Sequence, residues 1–537
     1  MPELEDVAVV LRVNGVDVSV PSTGSLLDAL RDHAGVRSAK DGCAPQGQCG
    51  CCTVLVDGQA RVACVTPVRR VVGREIVTLE GFPDSDRSAC ATALTACGGS
   101  QCGVCTPGII VRLAALDAKR PDATVDDVHR ALAAHLCRCT GWQTVVESWE
   151  LHRGGQLADA LEGRDFAAAS RRAQIECGTP QSVGTDVALG AAGFSADAAP
   201  SEAVVAVPDG ADGWVVGSTV AEARARARKV QGRRTTASSV PPLEVPAGEW
   251  AAVLATNWVD PAYVETDASW SPPAGPPSPP AANAGAFGAK RGSPVPAAAQ
   301  RLAAENGRPV LAVWSREDVA RHGWKRPPVA GGVRPDGTGV LRVVATPGVA
   351  DAITRVAPGV TIEEVDTPGP PTSAAVRGAG WAEALVLLAA AGAASPFIEV
   401  HGDSVTVTDP NGGRATVRVA AGTVEVEVEA GDPLDEVVVR SYCIGAVHMA
   451  LSWVTSESLT VSPDGEVGDL TVRSLGVLRA ADMPHVSVRV TGSGDPVRAS
   501  DAVFVATAAA VWGAQGYPPV WPTGTLLPAT PTESGAL

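Results

Sequence analysis

The chain has 537 residues, of which 45% are hydrophobic and 19% charged, so it is long enough to bury the cores of several domains. Its formal net charge of −16 argues against a nucleic-acid partner, because binding a phosphate backbone requires clustered Lys and Arg. The start, MPELEDVAVVLRVNG, lacks the basic region and apolar core of a signal peptide. The most apolar later run, 381–394, is shorter than the roughly 20 residues that cross a bilayer. We therefore expect a cytoplasmic protein with no membrane span.

The first 84 residues are predicted to form a small β-grasp domain. Residues 6–20 alternate around Asn14-Gly15, a dipeptide typical of type I′ hairpin turns. A short helix with a Gly stop is predicted over 25–35. A cysteine-rich loop, a second hairpin around Asp57-Gly58 and a strand within 74–82 complete the domain.

Residues 85–155 are predicted to form a small helical bundle. Thr106 before Pro107 predicts an N-cap followed by the first helical position. Thr124 and Asp127 match the capping-box pattern at the start of another helix.

The rest of the chain mixes strands and helices. Residues 156–200 are rich in Ala and Gly and predict a linker, and the Pro-rich stretch 269–285 predicts an exposed connection. The alternation over 415–431 indicates a pair of half-buried strands, whereas 500–516 indicates a buried helix.

The cysteines are concentrated in the first third of the chain. Eleven of the thirteen lie between Cys43 and Cys139, and only Cys177 and Cys443 lie beyond. Clustered cysteines in a reducing compartment usually bind metal or take part in redox chemistry. The first 150 residues are therefore expected to carry a special function.

The first cysteine group has the pattern C-x5-C-x2-C, with a fourth cysteine eleven intervening residues later. It consists of Cys43, Cys49, Cys52 and Cys64. Plant-type 2Fe–2S sites use C-x4-C-x2-C with a distant fourth Cys, so a 2Fe–2S cluster is predicted. Glycines in the loop allow the backbone to wrap inward with amides free to bond sulfur; they are Gly42, Gly47 and Gly50.

Zinc is the alternative for this group. However, structural zinc sites usually combine two C-x2-C pairs, and here only a single cysteine follows the first pair. Cys51, between Cys49 and Cys52, is interpreted as the spare thiol.

The second cysteine group combines C-x2-C with C-x-C, both at predicted helix ends. Its members are Cys102, Cys105, Cys137 and Cys139. The two pairs can converge in an antiparallel bundle, where helix N-termini stabilise an anionic cluster. The pattern alone is also compatible with zinc, and the nearby Cys90 and Cys97 are interpreted as core residues.

These motifs, KDGCAPQGQCGCCTVLVDG with SQCGVCTPG and LCRCTGW, resemble the iron–sulfur portion of the xanthine oxidase and aldehyde oxidoreductase family of molybdenum hydroxylases over residues 1 to about 155. The resemblance implies one 2Fe–2S cluster on each cysteine group. It also implies that Gln101 contacts the pterin of a molybdenum cofactor, although the residue by itself is a polar residue at a helix end.

The later residues resemble a shortened molybdenum-binding portion of the same family. NAGAFGAKRG (283–292) is similar to its Gly-rich loop, which implies cofactor contacts from Gly285 and Phe287, although Ala284 replaces the first Gly. AAVRGAGWAEA is similar to a segment whose Arg faces substrate, which implies that role for Arg377; an ordinary ion-paired Arg is the alternative.

Two departures affect the catalytic part. The G-Q-G segment with which the family grips its cofactor is not found. The family's catalytic Glu is replaced by Asp495 in GSGDP, which implies a general base one methylene further back. Gly, Asp and Pro also suit an ordinary turn, and the turn is the favoured interpretation.

The predicted fold class is therefore multidomain α+β. It comprises a β-grasp, ferredoxin-like 2Fe–2S domain (1–84), a helical 2Fe–2S-binding domain (85–155), a linker (156–200) and a shortened α+β molybdopterin-binding-like region (201–537).

Two functions follow from the resemblance. In the first, molybdopterin in this chain hydroxylates an N-heterocycle or aldehyde, with Asp495 and Arg377 as catalytic residues, and electrons pass through both clusters to a flavin-containing partner. In the second, the molybdenum site is lost. The chain is then an electron-transfer and scaffold subunit, with a full-length molybdenum subunit as a further partner.

Overall fold

The computed structural model describes residues 7–210, 213–229, 232–420 and 422–527. The strands are β1 (Ala8–Val13), β2 (Val16–Pro21), β3 (Thr53–Val56), β4 (Gln59–Val62), β5 (Glu75–Val77), β6 (Val204–Pro208), β7 (Trp214–Gly217), β8 (Ala252–Thr256), β9 (Ala268–Ser271), β10 (Val310–Val313), β11 (Val329–Val333), β12 (Gly339–Val344), β13 (Val360–Val365), β14 (Ile398–His401), β15 (Ser404–Thr408), β16 (Arg414–Ala420), β17 (Thr423–Glu429), β18 (His485–Thr491) and β19 (Val520–Trp521).

The helices are α1 (Leu26–Asp28), α2 (Asp84–Cys97), α3 (Thr106–Lys119), α4 (Val125–Leu132), α5 (Gln143–Gly154), α6 (Phe166–Cys177), α7 (Thr185–Ala188), α8 (Ser195–Ala198), α9 (Val220–Arg226), α10 (Val295–Asn306), α11 (Arg316–His322), α12 (Val349–Val356), α13 (Trp381–Ala390), α14 (Glu436–Thr455) and α15 (Ser500–Ala514). A π-helical turn extends α1 from Ala29 to His33.

The first sheet has the order β2-β1-β5-β3-β4. The hairpin β1–β2 forms one side of the sheet and the hairpin β3–β4 the other, and β5 lies between them, parallel to β1. Asn14 and Gly15 both have positive φ (51° and 79°), as the predicted type I′ turn requires. Asp57 and Gly58 repeat this geometry in the second hairpin. The two hairpins and the closing strand predicted from the sequence are present.

Four helices, α2 to α5, follow this sheet. The capping box between Thr124 and Asp127 at the start of α4 is formed as predicted. The prediction for α3 was wrong by one residue: its N-cap is Cys105, and Thr106 is the first helical position. The hydroxyl of Thr106 instead donates to the carbonyl of Gly103 at 3.4 Å.

The segment predicted as a linker is not an unstructured connection, because it contains α6. Arg172 and Glu176 form a fully buried ion pair on this helix. The Arg172 guanidinium also donates to the carbonyls of Ala430 (3.0 Å) and Val497 (2.8 Å). The segment was predicted to be a linker because it is rich in Ala and Gly, whereas Arg172 ties it to distant backbone.

The C-terminal part contains three further sheets around two long buried helices. Their orders are β7-β6-β10-β9, β13-β12-β11-β8-β19 and β14-β15-β16-β17-β18. The predicted strand pair is β16 and β17. The two strands are antiparallel, with Arg414 opposite Glu429 at one end and Ala420 opposite Thr423 at the other. The predicted buried helix is α15, which packs against α14.

Helix α14 is long and apolar enough to cross a bilayer by length and composition, with a mean hydropathy of 1.4. However, 89% of its apolar window is buried inside the protein, as in the core helix of a folded domain.

Candidate metal centres

Three cysteines of the first group lie in the buried loop between α1 and β3, and the fourth lies in the turn directly after β4. Cys43, Cys49, Cys52 and Cys64 are each at most 6% exposed. The thiol of Cys43 contacts those of Cys49 and Cys64, and these hydrogen bonds hold its pKa well below the usual range. Cys64 in turn contacts Cys52. The four sulfurs therefore form one continuous set.

The loop backbone turns inward as the glycines predict. Gly47 and Gly50 have positive φ (68° and 72°), a conformation that L side chains rarely adopt. The amide of Gln46 donates to the Cys43 sulfur at 3.1 Å, and the amide of Cys64 donates to the Cys52 sulfur at 3.4 Å. Such amide donors stabilise thiolates and the clusters they bind.

Cys51 lies at the edge of this set. Its thiol contacts that of Cys49 and lies 3.7 Å from the Cys49 carbonyl. This placement supports the interpretation of Cys51 as the spare thiol.

The second cysteine group forms two close pairs at the N-terminal end of α3. The sulfurs of Cys102 and Cys139 are 3.5 Å apart. Cys137 contacts Cys105 and also Thr140, whose hydroxyl is 3.1 Å from its sulfur. The hydrogen bond from Cys105, with those from Thr140, lowers the pKa of Cys137 to about 6.

Each cysteine group brings thiols together in contacting pairs. In the first group Cys43 contacts Cys49, and Cys64 contacts Cys52; the pairs of the second group are Cys102 with Cys139 and Cys105 with Cys137. A structural zinc ion needs about four ligands around one point, whereas a 2Fe–2S cluster spreads four thiolates over two irons. The residues present therefore fit 2Fe–2S clusters.

The two groups are joined by the backbone. The amide of Leu136 donates to the carbonyl of Cys49 at 2.9 Å, and Leu136 directly precedes Cys137. Beside this bond His135 packs so tightly on Gly50 that a Cβ there would lie 2.3 Å from the imidazole ring. The sequence could not predict this contact, because its two residues lie in different predicted domains, one in a β-grasp loop and the other in a helical segment.

Gln101 lies against the second group, with its amide nitrogen held by protein. It donates to the Cys139 carbonyl at 3.1 Å and to the Ser441 hydroxyl at 2.9 Å. Its amide oxygen is buried and has no hydrogen-bond partner among the described residues.

The Gly-rich loop over 283–292 also reaches the second group. A Cβ on Gly285 would lie 2.6 Å from the sulfur of Cys139 and 3.2 Å from the Cβ of Cys102. Phe287 is buried, and its carbonyl accepts a hydrogen bond from the amide of Arg377 at 3.1 Å.

The two residues predicted to be catalytic are not brought together. Arg377 is buried, and its guanidinium donates to Asp501 and to the Ser500 hydroxyl, both at 2.8 Å. Asp495 is exposed in the loop after β18, where its carbonyl faces Gly431. This is the turn that the residue types suggest.

Two further buried ion pairs near this region were not predicted from the sequence. Arg138 forms a two-pronged ion pair with Glu457 (2.8 Å for one prong), and Arg326 pairs with Glu383 (2.6 Å). Because Arg138 and Glu457 are 319 residues apart, no local pattern could identify the pair.

The helical part matches a family model described as a [2Fe-2S] binding domain over residues 78–150. The xanthine dehydrogenase iron-sulfur-binding subunit of Escherichia coli O157:H7 is 38% identical over 152 residues, which are 28% of this chain and 95% of that protein. A probable xanthine dehydrogenase subunit of Bacillus subtilis (strain 168) is 38% identical over 140 residues, which are 26% of this chain and 80% of that protein. The chain belongs to the xanthine dehydrogenase and aldehyde oxidoreductase family.

Structural similarity extends over nearly the whole chain. The aldehyde oxidoreductase from Desulfovibrio gigas aligns with a TM-score of 0.66 at 14% identity, covering 95% of this chain and 98% of that one. The aldehyde oxidoreductase from Desulfovibrio desulfuricans aligns with a TM-score of 0.67 at 14% identity, covering 94% of this chain and 97% of that one. The predicted multidomain α+β fold is confirmed.

Membership of the xanthine dehydrogenase and aldehyde oxidoreductase family confirms the predicted class, an oxidoreductase of the molybdenum hydroxylase type. The predicted cofactors, 2Fe–2S clusters and molybdopterin, are those of the family. The two sequence relatives align with about a quarter of this chain, so the roles of single residues remain predictions.

Proposed function

We propose that this chain is the iron–sulfur electron-transfer component of a xanthine dehydrogenase-like system, passing electrons through two 2Fe–2S clusters to a flavin-containing partner. The observation that carries the proposal is the contact between the two cysteine groups, the 2.9 Å hydrogen bond from Leu136 to Cys49. It gives a short route through covalent bonds and one hydrogen bond from one group to the other.

The proposed ligands of the first cluster are Cys43, Cys49, Cys52 and Cys64, and those of the second are Cys102, Cys105, Cys137 and Cys139. When bound, each cluster supplies a one-electron redox couple. The protein contributes the thiols as ligands. The amide donors to sulfur and the N-terminus of α3 stabilise the negative charge of the bound thiolates.

For the source of the electrons we favour a separate molybdenum subunit, with this chain as the scaffold. Hydroxylation of an N-heterocycle or aldehyde within this chain would require Asp495 and Arg377 to face a shared space. Asp495 is exposed, whereas Arg377 is buried and neutralised by Asp501, and this difference in burial and charge supports the scaffold role instead. All thirteen cysteines are free, which supports a cytoplasmic location.

The cluster assignment is tested by replacing Cys105 with Ala and, as a matched control, Cys90 with Ala. Cys90 lies on α2, outside both cysteine groups, and its sulfur lies 3.6 Å from the imidazole of His152. We expect about four irons per chain in the parent, about two in Cys105→Ala and an unchanged count in Cys90→Ala. Zinc in place of iron in the parent would contradict the proposal.

The partner is tested by purifying the chain from its native host under mild conditions. We expect a flavin to co-elute. When dithionite is added in less than stoichiometric amount, we expect its electrons to pass through the clusters to the oxidised flavin, seen as loss of flavin absorption while cluster absorption is retained. A complex that contains both clusters but no flavin would contradict this part of the proposal.

A further inference from the structure

The Gly-rich loop over 283–292 lies directly on the second cysteine group. At Gly285, with φ of 56°, only a hydrogen separates the backbone from Cys139, since a Cβ would lie 2.6 Å from its sulfur. The same Cβ would lie 3.4 Å from the sulfur of Cys102. No layer of other atoms fits between this loop and those two cysteines.

The opposite side of the loop is filled as well. The guanidinium of Arg377 stacks on the Phe287 ring at 4.5 Å from its centroid and is neutralised by Asp501. At Gly288 the carbonyl of Ala375 approaches so closely that a Cβ would lie 1.7 Å from it. The loop is therefore clamped between the second cysteine group and the segment that carries Arg377.

The surrounding space is occupied by side chains of this chain. The guanidinium of Arg326 lies 3.8 Å from the Trp453 ring centroid and pairs with Glu383, while Arg138 pairs with Glu457. Two small cavities lie beside Phe287 in the described part of the chain, one of about 30 Å³ and one of about 20 Å³. Pockets for cofactor-sized ligands are about 300–1,000 Å³, so each cavity has room for about a water molecule.

The residues around Phe287 therefore leave no room for molybdopterin beside the Gly-rich loop. We infer that the Gly-rich loop closes directly over the second cluster, so that this chain seals the cluster with its own backbone and holds no molybdopterin beside it. The inference rests on the proposed function, because it concerns the second of the two proposed clusters. Electrons then have to come from a partner protein.

The first test is elemental analysis of the full chain, expressed in a host that makes the cofactor and loads a co-expressed molybdenum hydroxylase. We expect about four irons per chain, with neither molybdenum nor the fluorescence of oxidised pterin. Molybdenum near one per chain together with iron would overturn the inference and leave the electron-transfer proposal standing. Absence of iron would overturn the proposed function itself.

The second test is Gly285→Ala, with Gly292→Ala as the matched control. Both positions have positive φ, so both substitutions strain the backbone, but a Cβ on Gly292 would meet only Trp324, at 3.9 Å. We expect Gly285→Ala to shift or abolish the electron paramagnetic resonance signal of the second cluster and Gly292→Ala to preserve it. Cys52→Ala and Cys105→Ala assign the two signals.

A Gly285→Ala protein whose second-cluster signal is identical to that of the parent would show that the loop is not against the cluster, and would overturn the inference. A retained first-cluster signal shows that the variant is folded. Elemental analysis uses the unmodified chain. It can therefore still refute the inference if the Gly285→Ala protein does not fold.

Discussion

Cys51 and Cys52 are adjacent in the sequence but have different sulfur neighbours. Cys52 contacts Cys64 and accepts its amide, whereas Cys51 contacts Cys49 at the edge of the set. We expect Cys52→Ala to remove the first cluster and about half of the iron, because an iron would lose one of its two thiolates. Cys51→Ala should keep the visible absorption of both clusters.

Iron content and the visible spectrum of the two purified variants check this prediction. Loss of iron from Cys51→Ala with retention in Cys52→Ala would reverse the assignment. The variants are well matched, since both remove a buried thiol from the same loop and leave similar cavities.

Asp409, in the turn between β15 and β16, is a buried carboxyl whose pKa is raised to about 7 by burial and by the charge of Asp501. The folded protein then keeps a proton that the unfolded chain releases above about pH 4, so the free energy of unfolding falls as pH rises toward 7. The loss is on the order of 4 kcal/mol. We expect Asp409→Asn to abolish it and to be more stable than the parent at about pH 8.

Urea unfolding at about pH 5 and about pH 8 measures this effect. The control is Asp403→Asn in the neighbouring hairpin turn, because the side chain of Asp403 is 59% exposed. An Asp409→Asn protein with the same pH dependence as the parent would contradict the raised pKa.

Among the helices and strands, the sequence predicted those features that depend on residues close together in the chain. The hairpin at Asn14-Gly15 follows from two residues that tolerate positive φ, and the capping box at Thr124 from two side chains three residues apart. Helix α6 was missed because its stability comes from tertiary bonds. Arg172 bonds carbonyls more than 250 residues away, and no window of sequence contains them.

The grouping of the cysteines was predictable from the sequence, whereas the residues around them were not. Cysteine spacing within short loops encodes which thiols can meet, and the structure groups them as the spacing suggests. The partners of Arg377 and Arg138 are set by the fold of the whole chain, so the sequence could not show that both guanidinium groups are neutralised by buried carboxylates.

At the scale of the whole molecule, the Arg138–Glu457 pair fastens the iron–sulfur part to the C-terminal part. Both side chains are at most 3% exposed, and Arg138 also donates to the Pro261 carbonyl at 3.0 Å. Truncating one partner leaves the other charge buried and unpaired. We expect Glu457→Ala to lower the free energy of unfolding by about 3–5 kcal/mol.

The control is Glu425→Ala, which breaks an exposed pair with Arg418 and should cost at most about 1 kcal/mol. Calorimetry distinguishes the two variants and also shows whether Glu457→Ala unfolds in two steps. Equal losses in both variants would contradict the fastening role.

The loop at Gly285 has a further consequence for the chemistry of the second cluster. Water around a redox centre must reorient each time the charge changes, whereas packed backbone is already fixed in place. A cluster covered by this loop would therefore gain and lose electrons with little rearrangement of its surroundings, and dissolved oxidants could not reach it directly. The loop would then exclude solvent from the second cluster, and the hydrogen bond between Leu136 and Cys49 would provide the electron-transfer route to the first cluster.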